Sequence, residues 1–130
     1  MKVLKNEVLR TRVLKGQEGA IYCGRDFSPA QQNESELYGL DFVNDLVAGE
    51  ALTSAAWTLT VTNGVDGTPS SHLIGSPTLV TPDGTTVQTE TDQRIQGLLP
   101  DVTYAVQAVA VTNKGNTKTL YSHVRGVDVA

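Results

Sequence analysis

The residues best suited to catalysis or metal binding are one cysteine, Cys23, and two histidines, His72 and His123. The histidines are far apart in the sequence, have no cysteine near them and lack the i, i+4 spacing of a zinc-binding helix. Cys23 lies in a short apolar segment, residues 20–24, where a thiol usually serves as a small buried hydrophobic group. This pattern predicts neither a metal site nor a cysteine nucleophile.

Three acidic residues, Asp41, Asp45 and Glu50, are close in sequence, and Asp66 or Asp83 could join them in a loop-borne Ca²⁺ site. Solvated loop carboxylates explain the same spacing, and we favour that interpretation. The loop glycines do not precede a helix, so no phosphate-binding loop is indicated. We therefore expect no cofactor and no enzymatic activity.

Carbohydrate binding would require an exposed aromatic platform. The single tryptophan, Trp57, falls in a predicted core strand, and Tyr22 and Tyr121 are the only plausible exposed pair. Sugar binding through this pair is kept as an alternative interpretation.

Charge is divided unevenly along the chain. Residues 1–16 contain five basic and one acidic residue, 5 − 1 = +4, whereas the other 114 contain five basic and 13 acidic residues, 5 − 13 = −8. A basic end on an acidic body is typical of an attachment arm. The predicted partner-binding residues are Lys2, Lys5, Arg10, Arg12 and Lys15. A solvated strand or helix without a partner is the alternative.

Several classes of partner and compartment are disfavoured. Nucleic-acid binding is not expected, because the acidic body would repel phosphate and the arm has no aromatic residue to stack on bases. No apolar run approaches the roughly 20 residues that span a bilayer, so we expect no membrane partner. Residues 1–20 lack the apolar core of a signal peptide, and a single cysteine cannot form an internal disulfide. These features predict synthesis in the cytoplasm.

The elements that would position these residues are strands. Residues 97–111 begin with a turn and then alternate, with Tyr104, Val106, Ala108 and Ala110 on one face. A Leu-x-Pro turn that leads into a strand tyrosine is the pattern of a tyrosine corner, in which the phenol hydroxyl bonds to the backbone just upstream. Tyr104 is therefore predicted to be a structural core residue.

Two further strands are predicted to supply the core. Residues 52–62 place Ala55, Trp57, Leu59 and Val61 on one face, and Trp57 is the largest apolar group available. Residues 36–44 place Tyr38, Leu40 and Phe42 on an apolar face. Trp57 and Phe42 join Tyr104 as predicted structural core residues.

The remaining strands are shorter. Residues 72–74 and 76–80 are predicted as strands around Gly75, residues 85–89 as the hairpin partner of 77–80, and residues 117–129 as the closing strand. Residues 91–96 are polar and lead into the tyrosine-corner turn, and residues 63–71 form a long mobile loop. Regularly spaced short strands without a helix indicate an antiparallel sandwich of about seven strands.

The N-terminal third is predicted to lie outside this body. Residues 1–16 fit either a short helix or a strand with Leu14 on one face, and we favour the strand. Residues 20–24 fit an edge or added strand, and residues 27–35 are interpreted as a polar linker. The expected organisation is an extended arm and linker over residues 1–35, followed by a β-sandwich domain over residues 36–130.

Residues 98–106, reading LLPDVTYAV, together with Gly115 in the later turn, resemble the second half of a fibronectin type III or related Ig-like domain. The resemblance implies an all-β, antiparallel Ig-like β-sandwich. It implies no function, because this fold carries many.

A narrower resemblance begins in residues 37–57, reading LYGLDFVNDLVAGEALTSAAW. These residues, with the turns at residues 97–104 and 111–115, resemble the Ig-like accessory proteins of tailed bacteriophages often called fiber-tail adaptor proteins. The shared features are the acidic-aromatic pair Asp41-Phe42, the pair Asp45-Leu46, the Gly49-Glu50 turn and the Ser-Ala-x-Trp motif of residues 54–57. The resemblance covers roughly residues 34–129; residues 1–33 are longer than the usual start of that family.

This resemblance implies a structural protein of the phage or prophage virion, made in the host bacterial cytoplasm. The expected partners are other head, neck or tail ring proteins and a tail fibre, within a symmetric oligomer. Docking would use the basic arm and an exposed sheet edge. The alternatives are a capsid decoration or host-surface adhesion module, and a fibronectin-like spacer for an enzyme.

Overall fold

The computed structural model of the protein describes residues 13–15 and 22–128. These residues form eight strands and two short 3₁₀ helices, Val43–Asp45 and Pro69–His72. The strands are β1 Val13–Lys15, β2 Ala30–Gln31, β3 Ser35–Asp41, β4 Leu52–Asn63, β5 Leu73–Val80, β6 Glu90–Gln96, β7 Thr103–Thr112 and β8 Thr117–Val127. No helix among them is long and apolar enough to cross a membrane.

The strands form two four-stranded sheets, in the orders β1-β3-β6-β5 and β2-β8-β7-β4. Pairing is antiparallel except at the two shortest strands, because β1 runs parallel to β3 and β2 runs parallel to β8. The fold is thus all-β with almost no helix, and its two sheets share one apolar core, as in a β-sandwich.

The three predicted core residues lie in this core. Phe42, Trp57 and Tyr104 are 0%, 7% and 0% exposed. The indole Nε1 of Trp57 donates a hydrogen bond to Thr91 Oγ1 on the opposite sheet at 3.1 Å. Cys23 is also buried, as predicted for a small hydrophobic group, and burial raises the pKa of its thiol to about 11.

Strand β6 was not predicted. The partner of β5 is Glu90–Gln96 rather than residues 85–89, which lie in the loop before it. Its inward side chains include Thr91 and Gln93, and the Gln93 amide donates to the carbonyl oxygens of Ile74 and Gly75. A strand with a polar sequence can therefore occupy the centre of a sheet, because its inward polar groups have partners on other strands.

Two other boundaries differ from the prediction. The strands expected at residues 72–74 and 76–80 are one strand, β5, with an irregular register between Ile74 and Thr78. The segment interpreted as a polar linker, residues 27–35, contains β2, and its residues Phe27 and Ala30 are buried in the core. The ring of Phe27 packs edge-on against Tyr38 at 5.0 Å, which fastens this segment to β3.

Candidate interaction surfaces

The two long edge strands of the molecule differ in chemistry. Strand β5 contains Pro77 and Gly75, and its register is irregular between Ile74 and Thr78. Proline and irregular pairing are common devices that prevent strand addition at an edge. Strand β4 forms the edge of the other sheet, extends over 12 residues and contains neither a proline nor a charged residue. Its register shifts lie near its two ends, so its central residues 54–61 are regularly paired with β7. Among the described strands, β4 is therefore the edge best suited to accept another strand.

The outward face next to this edge is nearly free of charge. The register aligns Thr58 with Gln107 and Tyr121 in one row, and Thr60 with Ala105 and His123 in the next. Alternation places these side chains opposite the buried Trp57, Leu120 and Val124. The side chains of β4 and β7 on this face are uncharged, so a partner can approach them without desolvating an ion.

An aromatic cluster lies along the β8 side of that face. The ring centroid of Tyr22 is 5.4 Å from that of Tyr121 and 5.8 Å from that of His123. The hydroxyl of Tyr22 donates to Asp26 Oδ1 at 2.7 Å, and this bond raises the pKa of Tyr22. The structure brings the predicted Tyr22 and Tyr121 pair together, but their planes are inclined by 43° and do not form a flat platform.

The tyrosine corner is present. The hydroxyl of Tyr104 accepts a hydrogen bond from the backbone N–H of Leu99 at 3.0 Å and donates one to Asp66 Oδ2 at 2.8 Å. Burial raises the pKa of Tyr104 to about 12, so the phenol keeps the proton that it donates. The second bond was not predicted, and it ties the corner to the loop between β4 and β5.

Asp66 is the centre of this loop's attachment. Its Oδ1 accepts the backbone N–H of Thr68 at 3.0 Å, and its Oδ2 lies 2.7 Å from His72 Nε2. The other ring nitrogen of His72 lies 3.0 Å from the carbonyl oxygen of Gln96. The Thr68 N–H, followed by the Tyr104 hydroxyl and His72, holds the pKa of Asp66 below its usual range. The loop is thereby fixed to the end of β6 and the start of β7.

Gly64 allows this loop to approach the corner closely. Its φ is +94°, and a Cβ at this position would lie 2.8 Å from the backbone oxygen of Asp101. Any other residue would therefore displace the loop formed by residues 63–71. The exposed loop residues include Val65, which is 85% exposed.

A second carboxylate, Glu50, forms hydrogen bonds at the other end of the β4–β7 strand pair, away from the tyrosine corner. Its Oε2 accepts hydrogen bonds from Thr112 Oγ1 at 2.6 Å and Asn116 Nδ2 at 2.9 Å. Its Oε1 accepts the backbone N–H of Val47 at 3.1 Å. These bonds, led by that from Thr112, lower the pKa of Glu50 to about 2. Glu50 fixes the turn between β7 and β8 to the chain that enters β4.

The acidic residues considered for Ca²⁺ do not form one site. Glu50 lies near the Leu52–Thr112 pair, whereas Asp66 lies beyond the opposite end of the ladder, the Asn63–Thr103 pair. Within residues 13–15 and 22–128, no group of three or more His, Cys, Asp or Glu side chains is placed to hold a metal ion.

The predicted arm residues are only partly within the described structure. Lys2, Lys5, Arg10 and Arg12 lie outside it, so their partner-binding role stays a prediction. The backbone of Lys15 is described: it ends β1 and is paired with Asp41 of β3. The strand favoured for the arm is confirmed at residues 13–15, where Leu14 is buried.

Sequence reasoning missed the roles of Asp66, His72 and Glu50. A local signal existed only for Asp66, since an aspartate two residues before a threonine often accepts that residue's N–H in an Asx turn. The other contacts join residues far apart in the chain. Comparisons with protein-family models, with curated proteins and with solved structures found no match.

Proposed function

We propose that this chain is a non-enzymatic structural subunit of a tailed-phage or prophage virion, an Ig-like adaptor that docks on head, neck or tail proteins and helps attach fibres. The observation that carries the docking role is the β4 edge, which is long, uncharged and without proline. An edge of this kind can accept a partner's strand through main-chain hydrogen bonds. The virion assignment rests on the resemblance of residues 37–57 to the phage adaptor proteins.

The strand order supports the Ig-like part of the proposal. If β3 to β8 are lettered B to G and β2 is lettered A′, the sheets read β1-B-E-D and A′-G-F-C, and the order of the lettered strands supports an Ig-like assignment. The tyrosine corner at Tyr104 and Leu99 agrees with that assignment. Strand β1 departs from it, because it adds to β3 in the parallel direction.

The test uses a phage or prophage that lacks this gene and is complemented with tagged variants. Ala56→Lys with Thr60→Lys places two charges on exposed positions of β4 and should reduce the amount of tagged chain in purified particles at least tenfold. Thr119→Lys, in β8 of the same sheet and two strands from the β4 edge, is the matched control and should be incorporated normally. Equal incorporation of both variants would contradict docking through β4, and absence of the wild-type chain from particles would contradict the virion role.

The second candidate is a decoration or host-surface adhesion module, favoured by the cluster of Tyr22, Tyr121 and His123 beside Asp26. This role predicts that Tyr121→Ala leaves incorporation intact and reduces binding of particles to host cells. In the adaptor role, the same variant leaves host binding unchanged once particles have assembled.

A further inference from the structure

The two ring nitrogens of His72 both face hydrogen-bond acceptors. Nε2 lies 2.7 Å from Asp66 Oδ2, and Nδ1 lies 3.0 Å from the carbonyl oxygen of Gln96. A carbonyl oxygen can only accept a hydrogen bond, so Nδ1 must carry a proton to form one. A neutral imidazole has one N–H, whereas the imidazolium has two. The attachment of His72 at both nitrogens therefore depends on whether Nε2 carries a proton as well.

The other bonds of Asp66 determine where that second proton lies. Its Oδ1 accepts the backbone N–H of Thr68, and its Oδ2 accepts the hydroxyl of Tyr104. These donors, led by the Thr68 N–H, hold the pKa of Asp66 below its usual range. Asp66 is therefore a carboxylate near neutral pH and can only accept a hydrogen bond from Nε2. Both contacts of His72 are formed together only by its imidazolium form.

This network is largely removed from water. The side chains of His72 and Asp66 are 13% and 3% exposed, and the ring of Tyr104 packs edge-on against that of His72 at 5.8 Å. A neutral imidazole would direct one nitrogen lone pair at an oxygen acceptor, so loss of the proton breaks one of the two contacts. Burial raises the pKa of Tyr104 to about 12, so the phenol keeps its proton. His72 is therefore the member of the network whose charge changes near neutral pH.

Charged groups on the elements around this network bond elsewhere. Asp101, in the turn before β7, is 89% exposed and lies 3.7 Å from Arg125 Nη2. Glu34, whose carbonyl oxygen bonds to the residue after β6, accepts the backbone N–H of Gln31 with its carboxylate. Arg94 of β6 donates to a carbonyl oxygen of β3. Within the described residues, the ionic partner of the imidazole is thus the carboxylate of the loop between β4 and β5.

The contacts of His72 attach this loop to the body of the protein. The loop begins where β4 ends and contains the 3₁₀ helix Pro69–His72, in which His72 is the last residue. Asp66 belongs to the loop, whereas Gln96 is the last residue of β6 and Tyr104 lies near the start of β7. His72 thus bonds at one nitrogen to the loop and at the other to the opposite sheet from β4.

We propose that His72 is a pH-sensitive switch, whose imidazolium form holds the loop of residues 63–71 against the ends of β6 and β7 and whose deprotonation releases it. Both contacts exist while His72 is charged and Asp66 is a carboxylate. The attachment is therefore strongest at mildly acidic pH and weakens as the pH rises past neutrality. The bond from Tyr104 to Asp66 persists at the higher pH, so the loop opens more often while the sandwich stays folded.

This inference goes beyond the proposed function and does not depend on it, because the network lies within one chain. The first measurement is the protonation of the ring in the full-length chain labelled with ¹⁵N-histidine. At pH 6, NMR should show a directly bonded proton on both ring nitrogens of His72, identified by the signals that His72→Gln removes. A ring with a single N–H at this pH would overturn the proposal.

The second measurement is loop opening at pH 6 and at pH 8.5. Subtilisin cleavage of the full-length chain within residues 63–71 is divided at each pH by cleavage of a synthetic peptide of residues 58–76, which corrects for the activity of the protease. The corrected rate should be roughly fivefold higher at pH 8.5 in the wild type, the effect of one lost hydrogen bond on an opening equilibrium. In His72→Gln, whose amide does not titrate, the corrected rate should not depend on pH.

His123→Gln, at the other histidine of the chain, is the matched control and should show the same increase with pH as the wild type. A wild-type rate that does not change with pH would overturn the proposal, even if His72→Gln did not fold. An increase that persists in His72→Gln would do the same. An increase that is lost in His123→Gln would assign the pH response to the other histidine and would also overturn it.

Discussion

One carboxylate forms side-chain hydrogen bonds at each end of the β4–β7 strand pair, Glu50 at one end and Asp66 at the other. The two carboxylates have different kinds of partner. Glu50 accepts its side-chain bonds from Thr112 and Asn116, two neutral groups of one hairpin turn. Asp66 bonds to Tyr104 of β7 and to His72 of the 3₁₀ helix, both of which are titratable. The bonds of Glu50 fix a tight turn, whereas those of Asp66 connect a long loop to the ends of two strands.

This difference indicates that the Glu50 end can vary more than the Asp66 end without loss of the fold. The contacts of Glu50 hold residues that the ladder already brings together, since Leu52 is paired with Thr112. The contacts of Asp66 are what hold the loop to the body, because the loop itself has only a short 3₁₀ helix. We therefore expect the corner end to contribute more to stability and to be more sensitive to substitution.

The largest effect is expected for Tyr104→Phe. This variant leaves the Leu99 N–H without its acceptor and removes the donor to Asp66, which should lower the free energy of unfolding by about 2–3 kcal/mol. Urea denaturation would measure the loss. Tyr121→Phe is the matched control and should change stability by less than about 0.5 kcal/mol. Equal losses in the two variants would contradict the structural role of the corner.

The corner was predictable because its signal is local. Tyr104 bonds to Leu99, five positions upstream, and the Leu-x-Pro turn precedes an alternating strand. The long strands β4 and β7 were predictable for a similar reason, since an apolar period of two spans each of them. Strand β6 was not, because the partners of Thr91 and Gln93 come from β4 and β5. A single sequence does not reveal such pairs.

The second prediction concerns the loss of folding stability as the pH falls. The pKa of Glu50 is about 2 in the folded chain, against 4.5 ordinarily, so its stabilising effect is complete above the ordinary value. As the pH falls through this interval, the folded state loses that contribution. The difference in urea midpoint between wild type and Glu50→Gln should therefore be largest at neutral pH and should vanish near pH 2.

Asp128→Asn, at an exposed acid, controls for a general effect of charge removal. Its midpoint should follow that of the wild type across the same pH range. A Glu50→Gln difference that stayed constant between pH 5 and pH 2 would show that the bonds to Thr112 and Asn116 do not depend on the charge of Glu50.

The candidate surfaces were less predictable than the strands. The basic arm was evident from composition, but the β4 edge was not, because it depends on which strands lie at the margins of the two sheets. The attachment of the loop likewise joins Asp66 to Tyr104 across 38 positions. Both features depend on which strands become neighbours, and that arrangement is a property of the whole chain.

The smallest effect is expected for His72→Ala. The imidazole bridges Asp66 and the Gln96 carbonyl, and its loss should lower the free energy of unfolding by about 1 kcal/mol because Asp66 keeps its bonds to Thr68 and Tyr104. The loop should open more often, so proteolysis within residues 63–71 should be faster than in Ser70→Ala, an exposed control on the same 3₁₀ helix. A loss as large as that of Tyr104→Phe would make His72, rather than the tyrosine corner, the main attachment of this loop.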